Sequence, residues 1–100
     1  EMARKFAERM LKEGGASAGE RLAWALRTAT ARAPRPEEVA VLRAGLERRM
    51  REYGADRAAA EKLLAAGESP RDRSIDAVEL AAYATAAAVI LNLDEVITRQ

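Results

Sequence analysis

The sequence predicts an all-α fold: a compact bundle of about five helices around an apolar C-terminal central helix, in a single domain over residues 1–100. Three observations lead there. Apolar residues recur at i, i+3, i+4 and i+7 along most of the chain, the period of one helix face. Helix-start chemistry precedes these runs, and glycine or proline follows them. Nowhere do apolar and polar residues alternate strictly over five or more positions, as a half-buried strand would.

The first helix is expected over 2–13. Ala3, Phe6, Ala7, Met10 and Leu11 share a face, Glu8 precedes Lys12 by four, and Gly14-Gly15 stops the run. The second is expected over 18–31. Ser17 and Glu20 have capping-box spacing, and Leu22, Ala25, Leu26 and Ala29 form the apolar stripe. Trp24 lies off that stripe, so a second surface must cover it or it stands exposed. Pro34 ends this helix, and Pro36 opens the third, over 36–53, at the position where a missing N–H costs nothing. Glu37 and Glu38 then sit at the positive end of the new helix dipole, which accounts for this acidic pair without any catalytic role.

Val39, Leu42, Leu46, Met50 and Tyr53 make the stripe of the third helix, which Gly54 is expected to end. Asp56 caps a short fourth helix over 57–66, whose apolar side is Ala59, Ala60, Leu63 and Leu64 and which Gly67 closes. Residues 68–74 contain no apolar side chain and read as the one real loop. Asp76 and Glu79 form a second capping box and open the last helix, over 77–98. Leu80, Tyr83, Ala87, Ile90 and Leu91 share a broad face of it, and Ala81, Ala82, Thr85 and Ala88 the opposite one. A helix apolar all round belongs in the centre, and its alanine side lets a neighbour approach closely. Beyond Asn92 the stripe shifts, so the helix is expected either to emerge from the core there or to bend. The expected core is Leu42, Leu46, Leu63, Leu80, Tyr83, Ala87, Ile90 and Leu91.

Composition excludes several function classes. Of the 49 apolar residues 24 are alanine, leaving enough large side chains for one small core. There is no Cys and no His, which removes disulfide scaffolds, the usual zinc and haem ligands, and Cys- or Ser-His nucleophile systems. No cofactor and no metal site is expected. The carboxylates that remain, Asp72 with Asp76 and Asp94 with Glu95, lack the spacing of a calcium loop. The glycines form no phosphate loop, and no nucleophile–base pair is present, so no enzyme is expected. The longest uncharged run, Leu80 to Leu93, has 14 residues, short of the roughly 20 that a membrane span needs.

Basic residues are lopsided, with 14 Arg against 3 Lys, yet the net charge is only +1. Arg48, Arg49 and Arg51 form the densest cluster. An anion- or nucleic-acid-binding helical domain is the alternative this composition raises. Interleaved glutamates and only four aromatics speak instead for a solvated face, so nucleic acid is not the expected partner.

Two stretches carry a resemblance. One is Arg21-Leu22-Ala23-Trp24-Ala25-Leu26-Arg27, continuing through the Pro34/Pro36 restart to Val39. The other is Glu79-Leu80-Ala81-Ala82-Tyr83, continuing to Leu91-Asn92-Leu93-Asp94-Glu95-Val96-Ile97-Thr98-Arg99. Together with Gly67 to Asp72 between them, they resemble the C-terminal end of the large planctomycete cytochrome-c-associated proteins, in a domain-of-unknown-function family of PSD type. The resemblance covers roughly residues 17–100. It departs at Tyr83, where the family commonly has Trp, at Val96, where it has Phe, and at Arg35, where Thr or Asp would cap a helix better by about 1 kcal/mol. It implies an exported parent with haem-c domains upstream, though no Cys-x-x-Cys-His stands in this chain. It supplies no catalytic residue.

The resulting expectation is a helical packing or protein-interaction module of a larger exported protein. The chain opens in a helical pattern without an initiator Met, as a fragment of a longer protein would. A piece cut from a parent should carry an apolar surface where the parent, or a second copy, packs. The candidates are Trp24, the Ala81, Thr85 and Ala88 face, and Leu93, Val96 and Ile97.

Overall fold

Met10, Leu22, Leu26, Leu80 and Ile90, contributed by three different helices, lose essentially all contact with water and define the centre of the molecule. Burying each is worth about 1.5–3 kcal/mol. A computed structural model of the chain describes residues 2–65 and 70–98, the last five of these as backbone only. Its helices are α1 (Met2–Glu13), α2 (Ala18–Thr30), α3 (Pro36–Ala55), α4 (Arg57–Leu64) and α5 (Ala77–Thr98), and no strand occurs among the described residues. The radius of gyration, 13.0 Å, is that of a closed globule of this length, about 13 Å.

The α5 helix packs on all four others, most extensively on α1 and then on α3. Both of its faces are therefore covered along the first three turns: Leu80 and Tyr83 on one side, Ala81 and Ala82 on the other. Tyr83 keeps its hydroxyl satisfied because Arg21 of α2 reaches it, donating from Nη1 to Oη at 3.2 Å with the guanidinium 5.6 Å from the ring centroid. The helix continues unbroken through Asn92 to Thr98.

Local chemistry explains the boundaries. Gly15 has φ 111°, and a Cβ on Gly14 would lie 2.6 Å from the Met10 carbonyl oxygen, so the α1–α2 turn needs both glycines. Ser17 caps α2 by accepting from the Glu20 amide at 3.1 Å. Pro34 is not what ends α2: Ala31 turns left-handed at φ 58° and its amide closes back on the Arg27 carbonyl, so the helix stops at Thr30. Gly54 does not end α3 either. The helix runs on to Ala55 because the Asp56 amide donates back to the Glu52 and Tyr53 carbonyls while its carboxylate caps α4 through the Ala59 amide. The α4 helix ends at Leu64; Gly67, expected to close it, lies outside the described residues.

The expected core needs three corrections. Leu63 is 41% exposed, because the short α4 turns Ala60 and Leu64 toward α5 and Leu63 lies about 100° round from Leu64. Leu42 and Leu91 are half-buried at the margin of the core. The remaining five expected core residues are buried.

A polar clamp ties the chain before α5 to α1. The Asp72 amide donates to Glu8 Oε2 at 3.0 Å, and the Asp72 carboxylate faces Lys12 and accepts from the Ser74 amide and hydroxyl. The hydrogen bonds from Lys12 and Ser74 hold the Asp72 carboxyl well below the usual carboxylate range, and Asp72 raises Lys12 in turn. Arg4, buried on α1, stands 3.8 Å from Glu8 in the same group. Arg71 meets both oxygens of Glu61 at 2.9 Å.

Candidate functional site

Charge chemistry is mostly engaged within the chain itself. Among the described residues Arg4, Arg9, Arg32, Arg43, Arg49, Arg57 and Arg71 each face a carboxylate within 3.8 Å. In the basic cluster on α3, Arg49 is bound to Glu52 at 3.0 Å, whereas Arg48 has no ion pair among the described residues. No three His, Cys, Asp or Glu side chains come together as a metal-binding group among the described residues, and no helix there is long and apolar enough to cross a membrane.

What remains uncovered is apolar. Between α3 and α5 runs a groove of about 210 Å³ whose floor is Leu46, Ala82 and Ala86 and whose α3 wall is Val41, Leu42 and Gly45. It continues toward the N-terminus of α3 into a second depression formed by Val41, Leu42, Val89 and Leu93 with Glu37 and Glu38 at the rim. Because Val41 and Leu42 face Val89 and Leu93 while Leu46 faces Ala82 and Ala86, the two helices run antiparallel along the groove. Val41 is 72% exposed, Val89 47% and Leu93 37%. These side chains are neighbours, which distinguishes them from the scattered apolar residues that any surface carries.

The ends of the groove differ in charge. Glu37 and Glu38 stand at one end and Arg48 and Arg49 at the other. Glu38 is fixed there: both its oxygens receive Arg32, at 3.0 and 2.6 Å, and it also accepts the Arg35 amide at 3.1 Å. The arginine, more than the amide, lowers its carboxyl to about 2. Arg35 has no side-chain acceptor with which to cap α3, so only the reciprocal half of a capping box is made, Glu38 accepting the Arg35 amide from three residues inside the helix. Gly45 lies midway along the α3 wall. A Cβ placed on it would meet only Arg48 Nη2, 3.9 Å away, so the backbone is open at this point.

The sequence-derived surface is only partly here. Leu93 lines the groove, Thr85 borders it, and Ala88 is exposed on the outer side of α5. Thr85 is half-buried, its hydroxyl bound to the Ala81 carbonyl at 3.1 Å. Ala81 is fully buried and belongs to the core, since α5 is covered on that side by its neighbours. Trp24 is half-buried rather than free. Its ring packs on Phe6 with centroids 5.8 Å apart, and the Arg9 guanidinium lies 5.3 Å above it. The side chains of Val96 and Ile97 lie outside the described residues.

Sequence reasoning missed Val41, Leu42 as a surface residue, Gly45 and Val89. The signal for Val41 was available: it is a large apolar residue two positions after Val39, out of phase with the stripe of its helix. A further apolar depression, of about 300 Å³, lies between Ala3, Leu63, Ala84 and Ala88 on the other side of α5. Compared with protein families, curated proteins and solved structures, the chain matches none.

Proposed function

We propose that the chain is a helical protein-interaction module and that the α3–α5 groove is its docking face. One observation carries the reading: Val41, Val89 and Leu93, joined by the half-buried Leu42, form a contiguous apolar surface that the bundle leaves open to water. Contiguous exposed apolar area of this kind favours burial against a partner, at about 25 cal/mol per Å² removed from water. The engagement of so many arginines with the chain's own carboxylates weighs against the anion- or nucleic-acid-binding alternative, since a paired guanidinium must first release its partner. Placement of the module at the C-terminal end of a larger exported protein rests on the sequence resemblance.

The test is binding of an anilinonaphthalene sulfonate dye to the folded chain. Wild type should enhance its fluorescence while still melting cooperatively, which separates a native apolar face from a molten state. Val41→Asp combined with Val89→Asp should remove most of the enhancement and leave the far-UV circular dichroism unchanged. No enhancement by wild type, or an enhancement that this double substitution leaves intact, would overturn the reading.

A further inference from the structure

We infer that the partner on the α3–α5 face is a second copy of this chain, docked antiparallel about a two-fold axis that passes the middle of α3. The inference rests on the docking-face reading above and identifies its occupant. It comes from the order of residues along one exposed stripe. Glu37, Val41, Gly45 and Arg48 follow one another at spacings of four, four and three, so they lie on a single side of α3, with Glu38 and Arg49 flanking them.

Such a stripe is self-complementary about residue 43. In an antiparallel pair, positions equally far before and after the axis face each other across the interface. Val41 and Gly45 lie two residues to either side of 43, so the exposed Val41 of each copy seats on the open backbone at Gly45 of the other. The same register brings Glu38, five residues before, opposite Arg48, five after. Glu37, six before, then meets Arg49, six after. One alignment thus places both acids of the groove against both of its basic residues, twice by symmetry. A parallel arrangement would set acid on acid and base on base. Leu42, Val89 and Leu93 flank the axis and would lose their exposure to water.

Two further facts fit. Glu37 and Arg48 have no ion-pair partner among the described residues, so each cross-copy pair adds one free charge to a residue, Arg49 or Glu38, that also holds Glu52 or Arg32 in its own chain. The net charge of +1 sets up no long-range repulsion between copies. A contact across two helices is at the small end of specific interfaces, so the dimer should be weak and should form as concentration rises.

Sedimentation of the full chain from micromolar to near-millimolar concentration tests this. Wild type should pass from monomer to dimer, less so at high salt, because the end pairs are exposed. Glu37→Arg and Arg49→Glu should each weaken the dimer by about tenfold or more, because each sets like charges opposite one another at two places. An equimolar mixture of these two variants should restore a dimer, now a heterodimer. Val41→Asp should be monomeric throughout. Gly45→Gln should weaken the dimer while raising the melting temperature of the dilute monomer, since it fills an open helix position that Val41 needs. A chain that stays monomeric would overturn the inference, as would a dimer indifferent to Val41→Asp and both charge reversals, or a mixture that fails to recover association. A strict monomer that still binds the dye through Val41 and Val89 would keep the docking face and assign it to a different protein. Loss of dye binding as well would remove both.

Discussion

Arg32 closes on Glu38 across the Pro34–Pro36 restart, its two terminal nitrogens each meeting one carboxylate oxygen. The pair joins the exit of α2 to the entry of α3 and keeps Glu38 aimed at the Arg35 amide. It thereby satisfies the backbone amide of a residue at the helix start whose own side chain makes no cap.

This pair should leave a signature in acid. Glu38 ionises near 2 in the fold against an ordinary 4.5, so its stabilisation is fully present above about 4.5 and is lost as pH falls toward 2. Denaturant melts of wild type and Glu38→Gln should differ at neutral pH and converge through that window. A gap that is constant with pH would show the pair contributes nothing through ionisation. The pair is partly exposed, so added salt should narrow the gap.

The caps should rank by the helix they open. Asp76 accepts from the Glu79 amide at 3.0 Å and stands 3.2 Å from Arg57, and that amide, ahead of the arginine, lowers its carboxyl. Asp76→Ala should cost about 0.5–2 kcal/mol because it frays the central helix. Ser17→Ala should cost less, since α2 makes less contact with α5 than α1, α3 or α4 does. Urea midpoints in the reverse order would refute this ranking.

Two leucines one sequence reading treats alike should separate. Leu46 is buried between α3 and α5, and Leu46→Ala should lose about 2–5 kcal/mol as a cavity forms. Leu63, 41% exposed, should lose about 0.5 kcal/mol or less on the same substitution. Equal losses would place Leu63 in the core after all.

Opposite backbone changes at two sites should both stabilise. Ala31 holds φ 58°, where glycine pays no steric penalty, so Ala31→Gly should gain about 0.5–1 kcal/mol. Gly54 lies inside α3 with open space around its missing Cβ, so Gly54→Ala should gain about 0.4–1 kcal/mol. Thermal melts of each single variant and of the pair would check the signs and their additivity.

Much of the architecture was legible because helix starts are local chemistry. Ser17, Pro36, Asp56 and Asp76 each stand where a helix begins, and α5 was central because it is apolar all round. Helix ends were less legible. A left-handed alanine at 31 and an aspartate at 56 that serves two helices leave no glycine or proline mark at the boundary. The candidate site was hardest to read. A helical wheel shows that a side is apolar but not whether a neighbour covers it. The wheel thus offers Ala81 as surface although it is buried, and gives no sign that Val41 is open. Which faces meet depends on crossing geometry, which no single helix encodes.

The position of α5 in the chain has a consequence for biosynthesis. The helix on which all the others pack is the last of the five to leave the ribosome. At about 5–20 residues per second, the nascent chain spends seconds with α1 to α4 made and without the helix that every one of them packs against. Productive collapse must then wait for residues 77–90, and the contact between α1 and α5 closes nearly the whole length of the chain in one step. A fragment ending at Leu64 should show helical dichroism without a cooperative melt, and adding a peptide spanning α5 should restore the transition.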